Sequence, residues 1–213
     1  MKEETKDNIA FIRGSLWGAV LGDVIGAYLE FNNLIDDEKI NSAFKIKGGG
    51  MHKLEPGQPT DDSELAYSVG KGLIRGKGKL NMNCIAEEMG NWFLSKPIDV
   101  GSTIRKSIPK ACNMKEHQGY LCRKAAKESS SASQSNGTLM AITPMSIWCC
   151  RLSPKDLLAA VREYTILVHS HEVVSLVNGF YSLALCFLLR NPELEKRNIE
   201  AFRFAKEEIK PAV

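Results

Sequence analysis

The sequence lacks a large excess of charge of either sign. Its 213 residues include 28 Lys and Arg against 25 Asp and Glu, which gives a formal net charge of +3. The basic residues are scattered along the chain, so the basic stripe that is typical of nucleic-acid-binding proteins is missing. We therefore expect no nucleic-acid partner.

Paired cysteines and an apolar leader are also missing. The six cysteines form no CxxC pair and no set spaced with His as zinc ligands. The chain starts with the polar residues Met1-Lys2-Glu3-Glu4, unlike a signal peptide. Because thiols stay reduced in the cytosol, we expect a cytoplasmic protein with free cysteines.

The sequence contains no unbroken apolar run of the roughly 20 residues that a membrane span needs. Residues 14–31 are interrupted by Asp23 and Glu30, and residues 173–189 by Asn178. We expect both segments to be helices buried in the core of a protein without a membrane partner.

No segment predicts a strand convincingly, and there is no internal repeat. With 44% hydrophobic and 25% charged residues, the chain has the composition of a globular protein, and its length fits one domain, residues 1–213. The spacing of apolar residues and the helix start and stop signals predict an all-α fold. Helices are expected at 5–30, 61–76, 83–94, 153–168, 172–190 and 193–210, with a further helix after 97–105, a mobile loop at 31–59 and a linker-like segment at 119–137.

The first predicted helix carries glycine at every fourth position, at Gly14, Gly18, Gly22 and Gly26. Each glycine inside a helix costs about 1 kcal/mol relative to alanine, so the stripe predicts the close approach of another backbone. Asp23 lies within an apolar stretch of this helix, on the same face as an acid seven residues later. Such a pair needs a cation or strong hydrogen-bond donors.

The segment Pro56-Gly57-Gln58-Pro59-Thr60-Asp61-Asp62-Ser63-Glu64 joins a turn to a helix start. Thr60 or Asp61 can act as N-cap, and Asp61 and Glu64 have the spacing of a capping box. The hydroxyl and two carboxylates of Thr60, Asp61 and Asp62 are oxygen donors that suit magnesium, manganese or calcium. A simple cap that complements the helix dipole is the alternative.

Three further short segments could contact a ligand. Asn136-Gly137 favours a left-handed turn whose exposed amides can hold a phosphate or a ribose, although it could be an ordinary loop. His169 and His171 lie at a helix junction, where they could bind a ligand or complement the end of a helix. Asp99, followed by Gly101, suits a turn.

Taken together, the motifs resemble the ADP-ribosylglycohydrolase family of all-helical hydrolases. The glycine helix ending at Glu30, the 56–64 segment and Ser135-Asn136-Gly137-Thr138-Leu139-Met140 are similar to its first helix, metal-binding turn and substrate loop. Weaker similarities are Asp99-Val100-Gly101-Ser102-Thr103 and His169-Ser170-His171. The order of these stretches covers nearly the whole chain.

The resemblance implies a compact orthogonal helical bundle with magnesium or manganese ions in a central cleft. Thr60, Asp61 and Asp62 would be metal ligands, and Glu30 a ligand or a gate over the site. Asp99 would hold or deprotonate the attacking water. Metal ions can orient the ribose hydroxyls and the water during hydrolysis at the anomeric carbon.

The implied substrate is ADP-ribose bonded to a protein side chain or a small conjugate. Ser135, Asn136 and Gly137 would face its diphosphate or distal ribose, and His169 its nucleoside end. We expect the chain to act as a monomer.

The chain departs from the family pattern in two places. The second Asp-x-Asp-Thr motif, which completes the metal pair in the family, is not present in the 213 residues, and Ala141 stands where the family has Arg. We therefore expect one hydrated ion rather than a pair, whether the chain is naturally short or truncated. Two alternatives stay open, namely an impaired ADP-ribose-binding module and a structural relative similar to jellyfish lens crystallins.

Overall fold

Helices form the regular structure of the parts of the chain that the computed structural model describes, residues 4–112 and 117–210. Within these ranges the only β-type pairing is an isolated bridge between Gly49 and Leu54. The predicted all-α fold is therefore confirmed. The α-helices are α1 (Glu4–Gly26), α2 (Asp37–Ala43), α3 (Asp61–Arg75), α4 (Met82–Leu94), α5 (Ser102–Ser107), α6 (Gln118–Ser129), α7 (Thr143–Cys149), α8 (Pro154–Thr165), α9 (Glu172–Arg190) and α10 (Arg197–Ile209), with a 3-10 helix at Ile108–Ala111.

The core is centred on the packing of α3 against α4. Leu65 and Val69, on the apolar stripe of α3, are fully buried, as are Ile85 and Met89 of α4. Burying a side chain of this size stabilises the fold by about 1.5–3 kcal/mol. The two helices lie so close that a Cβ at Gly72 would be 2.5 Å from the Cα of Ile85. This packing fixes the direction in which the first turn of α3 points.

A second group of helices, α7 to α10, packs around α9. Asn178 of α9 is fully buried, and its Nδ2 donates to Oγ1 of Thr138 at 2.9 Å and to Oγ1 of Thr165 at 2.8 Å. Tyr164 donates its hydroxyl to the carbonyl of Thr138. The segment that follows residues 135–137 is therefore held to both α8 and α9.

Two segments predicted as loops contain helices. Residues 31–59 include α2, whose N-cap is Asp36. Farther along the segment, Gly49 and Leu54 pair in a β-bridge. The linker-like segment 119–137 contains most of α6, because Cys122, Ala125 and Ala126 form a buried face. Composition alone did not reveal these short apolar faces.

Other helix limits differ from the predictions by a few residues. Helix α1 ends at Gly26 instead of residue 30, so Glu30 lies in the following turn. Helix α8 ends at Thr165, and α10 begins only at Arg197, after Lys196 in a left-handed conformation with φ of 54°. The predicted limits of α9 are confirmed.

The glycine stripe of α1 does not contact another backbone in the described structure. A Cβ added at Gly14, Gly18, Gly22 or Gly26 would meet no atom within 4 Å. No residue between Ile9 and Gly26 is buried, and Trp17 is 71% exposed. The predicted close approach and the predicted burial of this helix are therefore wrong for the described chain.

Two helical segments are long and apolar enough to cross a membrane by length and composition alone, Ile9–Gly26 and Glu172–Arg190. One third of the second segment, 33%, is buried inside the protein. Core helices of soluble proteins often share this length and composition, so the segments carry little weight as spans.

We expect Gly14→Ala to raise the free energy of unfolding by up to about 1 kcal/mol, because alanine favours the helix and its Cβ meets nothing. Gly72→Ala should lower it by about 1–3 kcal/mol, because its Cβ would overlap Ile85 and force the helices apart. Urea unfolding of the two variants beside the wild type measures both changes. A destabilising Gly14→Ala would mean that something covers the stripe in solution.

Candidate functional site

The carboxylate of Asp23 joins α1 to the first turn of α3. Its Oδ2 accepts hydrogen bonds from the amides of Thr60 and Ser63, at 3.0 and 3.2 Å, and from the hydroxyl of Ser63 at 2.6 Å. Its Oδ1 accepts from the hydroxyl of Thr60 at 2.6 Å. Free amides at the start of a helix need such acceptors. Asp23, which the sequence marked only as a costly acid, therefore caps α3 from another helix.

The predicted capping box at the start of α3 is wrong. Thr60 is the N-cap, but its side chain makes no capping hydrogen bond. The carboxylate of Glu64 accepts a 2.8 Å hydrogen bond from Nε1 of Trp92 in α4. Glu64 therefore bonds to a side chain of another helix instead of forming the capping box that its spacing from Asp61 suggested.

The capped helix end faces an open cleft of about 520 Å³ between α1, α3, α7 and α9. Thr60 and Asp61 are buried beside it, whereas Asp62 is half-buried and lines it. The small residues of α1 form one wall, so part of the glycine stripe faces this cleft. The residues lining it are Ala19, Gly22, Asp23, Gly26, Ala27, Leu29, Glu30, Asp62, Leu139, Met140, Thr143 and Tyr181.

The acids around the cleft repel one another. Burial and the nearby Asp99 raise the pKa of Asp61 to about 6, and burial and Asp23 raise the pKa of Asp62 to about 7. Burial and Asp99 also raise the pKa of Glu30. Among the described residues, no Lys or Arg forms an ion pair with any of these five acids.

This donor set fits a hard divalent cation. A raised pKa marks a carboxyl group whose ionised form lacks a counterion, and a bound cation would stabilise that form. The Thr60 hydroxyl donates a hydrogen bond to Asp23, so the lone pairs of its oxygen stay available. Thr60, Asp61 and Asp62 could therefore hold a hydrated ion with oxygen ligands.

His52 is a neighbour of this site that sequence reasoning missed. Its Nε2 lies 3.6 Å from Oδ2 of Asp99 and 3.9 Å from Oε2 of Glu30. The residue belongs to the 31–59 segment, in which no periodicity drew attention to single side chains. The feature of the sequence that could have indicated it is that His52 precedes Thr60, a predicted metal ligand, by only eight residues.

The predicted substrate loop is supported from behind by a buried histidine. Nε2 of His169 is 3.0 Å from the hydroxyl of Ser135, and a Cβ at Gly137 would lie 3.1 Å from the imidazole. His169 is fully buried, and burial lowers its pKa to about 4, so the ring is neutral at physiological pH. Its predicted contact with a nucleoside stays a prediction, and the described structure shows it supporting Ser135.

The structure brings the predicted residues together in two groups. Glu30, Thr60, Asp61, Asp62 and Asp99 surround the acidic end of the cleft, whereas the 135–137 loop and the histidine behind it form the second group. Residues 99–103 connect them, since Asp99 approaches His52 and Oγ1 of Thr103 lies 3.2 Å from the Ser135 hydroxyl. Ser135 and Asn136 are exposed and do not line the cleft, but Leu139 and Met140, which follow them, do.

We expect Asp23→Ala to lower the free energy of unfolding by about 2 kcal/mol at pH 5, because the start of α3 loses acceptors that carry a charge. The pH is chosen so that Asp61 and Asp62 are largely protonated and the relief of repulsion does not mask the loss. Chemical unfolding measures the change. Glu195→Gln, which alters an exposed acid outside the site, is the control, and an equal effect of the two changes would contradict the capping role.

The raised pKa values predict how stability depends on pH without metal. Asp61 and Asp62 bind protons more tightly when folded, so their stabilising effect is present below their ordinary pKa of 3.8 and is lost as the pH rises through about 6 and 7. His169, whose pKa is lowered, makes the fold more stable as the pH rises. The comparison of a variant with the wild type removes this contribution, because His169 is present in both proteins. In chelator, the melting temperature of Asp61→Asn/Asp62→Asn should rise relative to wild type between pH 5 and pH 8. A constant difference would contradict the mutual repulsion.

Comparison with known proteins gives one consistent family. The family described as ADP-ribosylglycohydrolase matches residues 3–211. The ADP-ribosyl-[dinitrogen reductase] glycohydrolase of Rhodospirillum rubrum is 38% identical over 96 residues, which are 45% of this chain and 32% of that protein. An ADP-ribosylarginine hydrolase of Serratia proteamaculans is 29% identical over 103 residues, 45% of this chain and 27% of that protein.

A solved structure has the same fold. An ADP-ribosylglycohydrolase-related protein complex aligns with a TM-score of 0.74 at 20% sequence identity, over 97% of this chain and 65% of that one. The matches thus span about a third or less of the two named relatives and two thirds of the structural neighbour. The chain belongs to the ADP-ribosylglycohydrolase family.

Proposed function

We propose that the chain binds Mg²⁺ or Mn²⁺ and takes part in metal-dependent hydrolysis of the bond between ADP-ribose and a protein side chain. The observation that carries the proposal is the convergence of Asp61, Asp62 and Glu30, all with raised pKa values, at the end of an open cleft. When bound there, a divalent ion would neutralise these charges and supply a place for ribose hydroxyls and water.

We assign Asp99 as the base for the attacking water. Its Oδ1 accepts a 2.8 Å hydrogen bond from the amide of Val100, which fixes the carboxylate and leaves Oδ2 directed toward His52. In the proposed reaction, Asp99 takes a proton from water as its oxygen bonds to the anomeric carbon. The glycosidic bond breaks, and the leaving side chain takes up a proton.

The cleft favours a cationic leaving group. Carboxylates beside the cleft that the ion does not engage would attract a guanidinium, which can form paired hydrogen bonds with a carboxylate, whereas a serine side chain offers no charge. The name of the Serratia relative specifies ADP-ribosylarginine. We therefore propose arginine-linked ADP-ribose as the substrate, with the diphosphate near the exposed Asn136.

A binding module with little turnover is the second candidate. It is favoured by the position of Thr60, Asp61 and Asp62, which all belong to one helix start. These carboxylates would hold a cation from one side, and a misplacement of about 1 Å can reduce a rate on the order of a hundredfold. The cytoplasmic location and the monomeric state stay predictions.

We expect Mg²⁺ or Mn²⁺ to raise the melting temperature of the chain at pH 8, because ligands of the folded state stabilise it. The rise should be smaller at pH 5, where Asp61 and Asp62 are protonated. Asp61→Ala or Asp62→Ala should abolish it, and Asp37→Asn, at an exposed acid of α2, should not. If neither metal alters the wild-type midpoint and calorimetry detects no binding, Thr60, Asp61 and Asp62 form only a helix start.

The activity test compares the 213-residue chain with the chain supplemented by an Asp-x-Asp-Thr segment of a relative, in cis or as a separate polypeptide. The chain alone should bind ADP-ribose but release it slowly from arginine-modified protein, and the supplement should increase metal-dependent release. In the supplemented protein, Asp99→Asn should remove turnover and leave ADP-ribose binding largely intact. Rapid hydrolysis by the chain alone, or wild-type turnover by Asp99→Asn, would contradict this assignment.

A further inference from the structure

A buried imidazole nitrogen faces two carboxylates beside the cleft. Nε2 of His52 is 3.6 Å from Oδ2 of Asp99 and 3.9 Å from Oε2 of Glu30, and the three residues can place ligand atoms within 4.8 Å of one another. Both separations exceed the range of a hydrogen bond. Nε2 is shielded from solvent, and no described residue forms a hydrogen bond with it. The nitrogen is therefore directed at the carboxylates without bonding to either.

The backbone holds the imidazole in this place. Gly49 and Leu54 exchange two backbone hydrogen bonds, at 2.7 and 2.9 Å, which close the turn that carries His52. Gly50 adopts a left-handed φ of +70°, and a Cβ there would lie 2.9 Å from the carbonyl oxygen of Ala27. The turn thus lies directly against the end of α1, so the imidazole is positioned by packing before any ligand arrives.

The separations suit a shared metal ion. Zinc lies about 2.0–2.2 Å from nitrogen and oxygen ligands, and in a tetrahedral site two such ligands are about 3.4 Å apart. The observed 3.6 and 3.9 Å exceed this by about half an ångström or less, a change that side-chain torsions of an exposed Glu30 can supply. An imidazole nitrogen favours zinc, cobalt or nickel, whereas Mg²⁺ prefers octahedral oxygen ligands.

We propose that Glu30, His52 and Asp99 form a second metal site, selective for a divalent transition metal such as zinc or cobalt. Three protein ligands leave a coordination position for water or a ligand. The site differs in chemistry from the all-oxygen set of Thr60, Asp61 and Asp62. It goes beyond the proposed function because its occupation requires no ADP-ribose.

Occupation of this site has a consequence that rests on the proposed function. A transition metal there would engage Asp99, the group proposed to accept the proton of water. Zinc should therefore inhibit magnesium-dependent hydrolysis, and His52→Gln should weaken that inhibition.

The decisive experiment measures binding alone, on the full chain after removal of metals. Titration with Co²⁺, followed by visible absorption and calorimetry, should show one site that is bound more tightly than Mg²⁺ and gives ligand-field bands. Removing a residue that hydrogen-bonds a metal ligand typically weakens metal binding about tenfold or more, and removing the ligand itself should weaken it at least as much. His52→Gln should therefore weaken Co²⁺ binding about tenfold or more and leave Mg²⁺ binding unchanged.

Matched variants separate this site from other ligands. His171→Gln removes an imidazole at the start of α9, and Cys150→Ser disrupts the thiol pair in which Sγ of Cys150 lies 3.1 Å from Sγ of Cys186. Both should bind Co²⁺ as the wild type does. Asp62→Asn should lose Mg²⁺ binding yet keep the Co²⁺ bands, so failure of the proposed magnesium site is distinguishable from failure of this one.

Circular dichroism checks that each variant is folded. If His52→Gln does not fold, Asp99→Asn tests the site by removing a different proposed ligand. Wild-type protein that binds Co²⁺ no more tightly than Mg²⁺ would overturn the proposal. So would a folded His52→Gln or Asp99→Asn variant that binds Co²⁺ with wild-type affinity and spectrum.

Discussion

The anchoring of the start of α3 by Asp23 is the interaction on which the rest of the site depends. One carboxylate accepts four hydrogen bonds from Thr60 and Ser63, and it does so from a different helix. The contact places the acids that begin α3 beside the turn that follows α1. Without it, Asp62 and Glu30 would have no fixed relation to each other, because 31 residues of loop and short helix separate them.

Placing these carboxylates together concentrates negative charge where water is partly excluded. Burial is the largest cause of the raised pKa values of Asp61, Asp62 and Glu30, and mutual repulsion adds to it. A fold that existed only for stability would gain by replacing such groups with neutral ones. The same arrangement is favourable once a divalent cation binds, which links the energetic cost of the site to its proposed chemistry.

Two neutral elements complete the surroundings of the acids. Small residues of α1 leave one wall of the cleft smooth, and His169, kept neutral by burial, supports Ser135. His52 adds a nitrogen donor to a site otherwise made of oxygen. The two proposed metal sites therefore differ in ligand chemistry, with oxygen ligands at the helix start and a nitrogen ligand beside Asp99.

The sequence by itself determined the all-α class, the family motifs and the limits of α3, α4 and α9 to within a residue, because apolar spacing and the signals at helix ends act over a few residues. It also indicated the acids that meet at the cleft, with Thr60, Asp61 and Asp62 at a helix start. Only the tertiary structure decided that Asp23 rather than Glu64 caps that helix, that no described residue packs on the α1 glycines and that His52 approaches Glu30 and Asp99. These features depend on contacts between residues 22 to 47 positions apart in the chain, and neither periodicity nor local spacing reports such contacts.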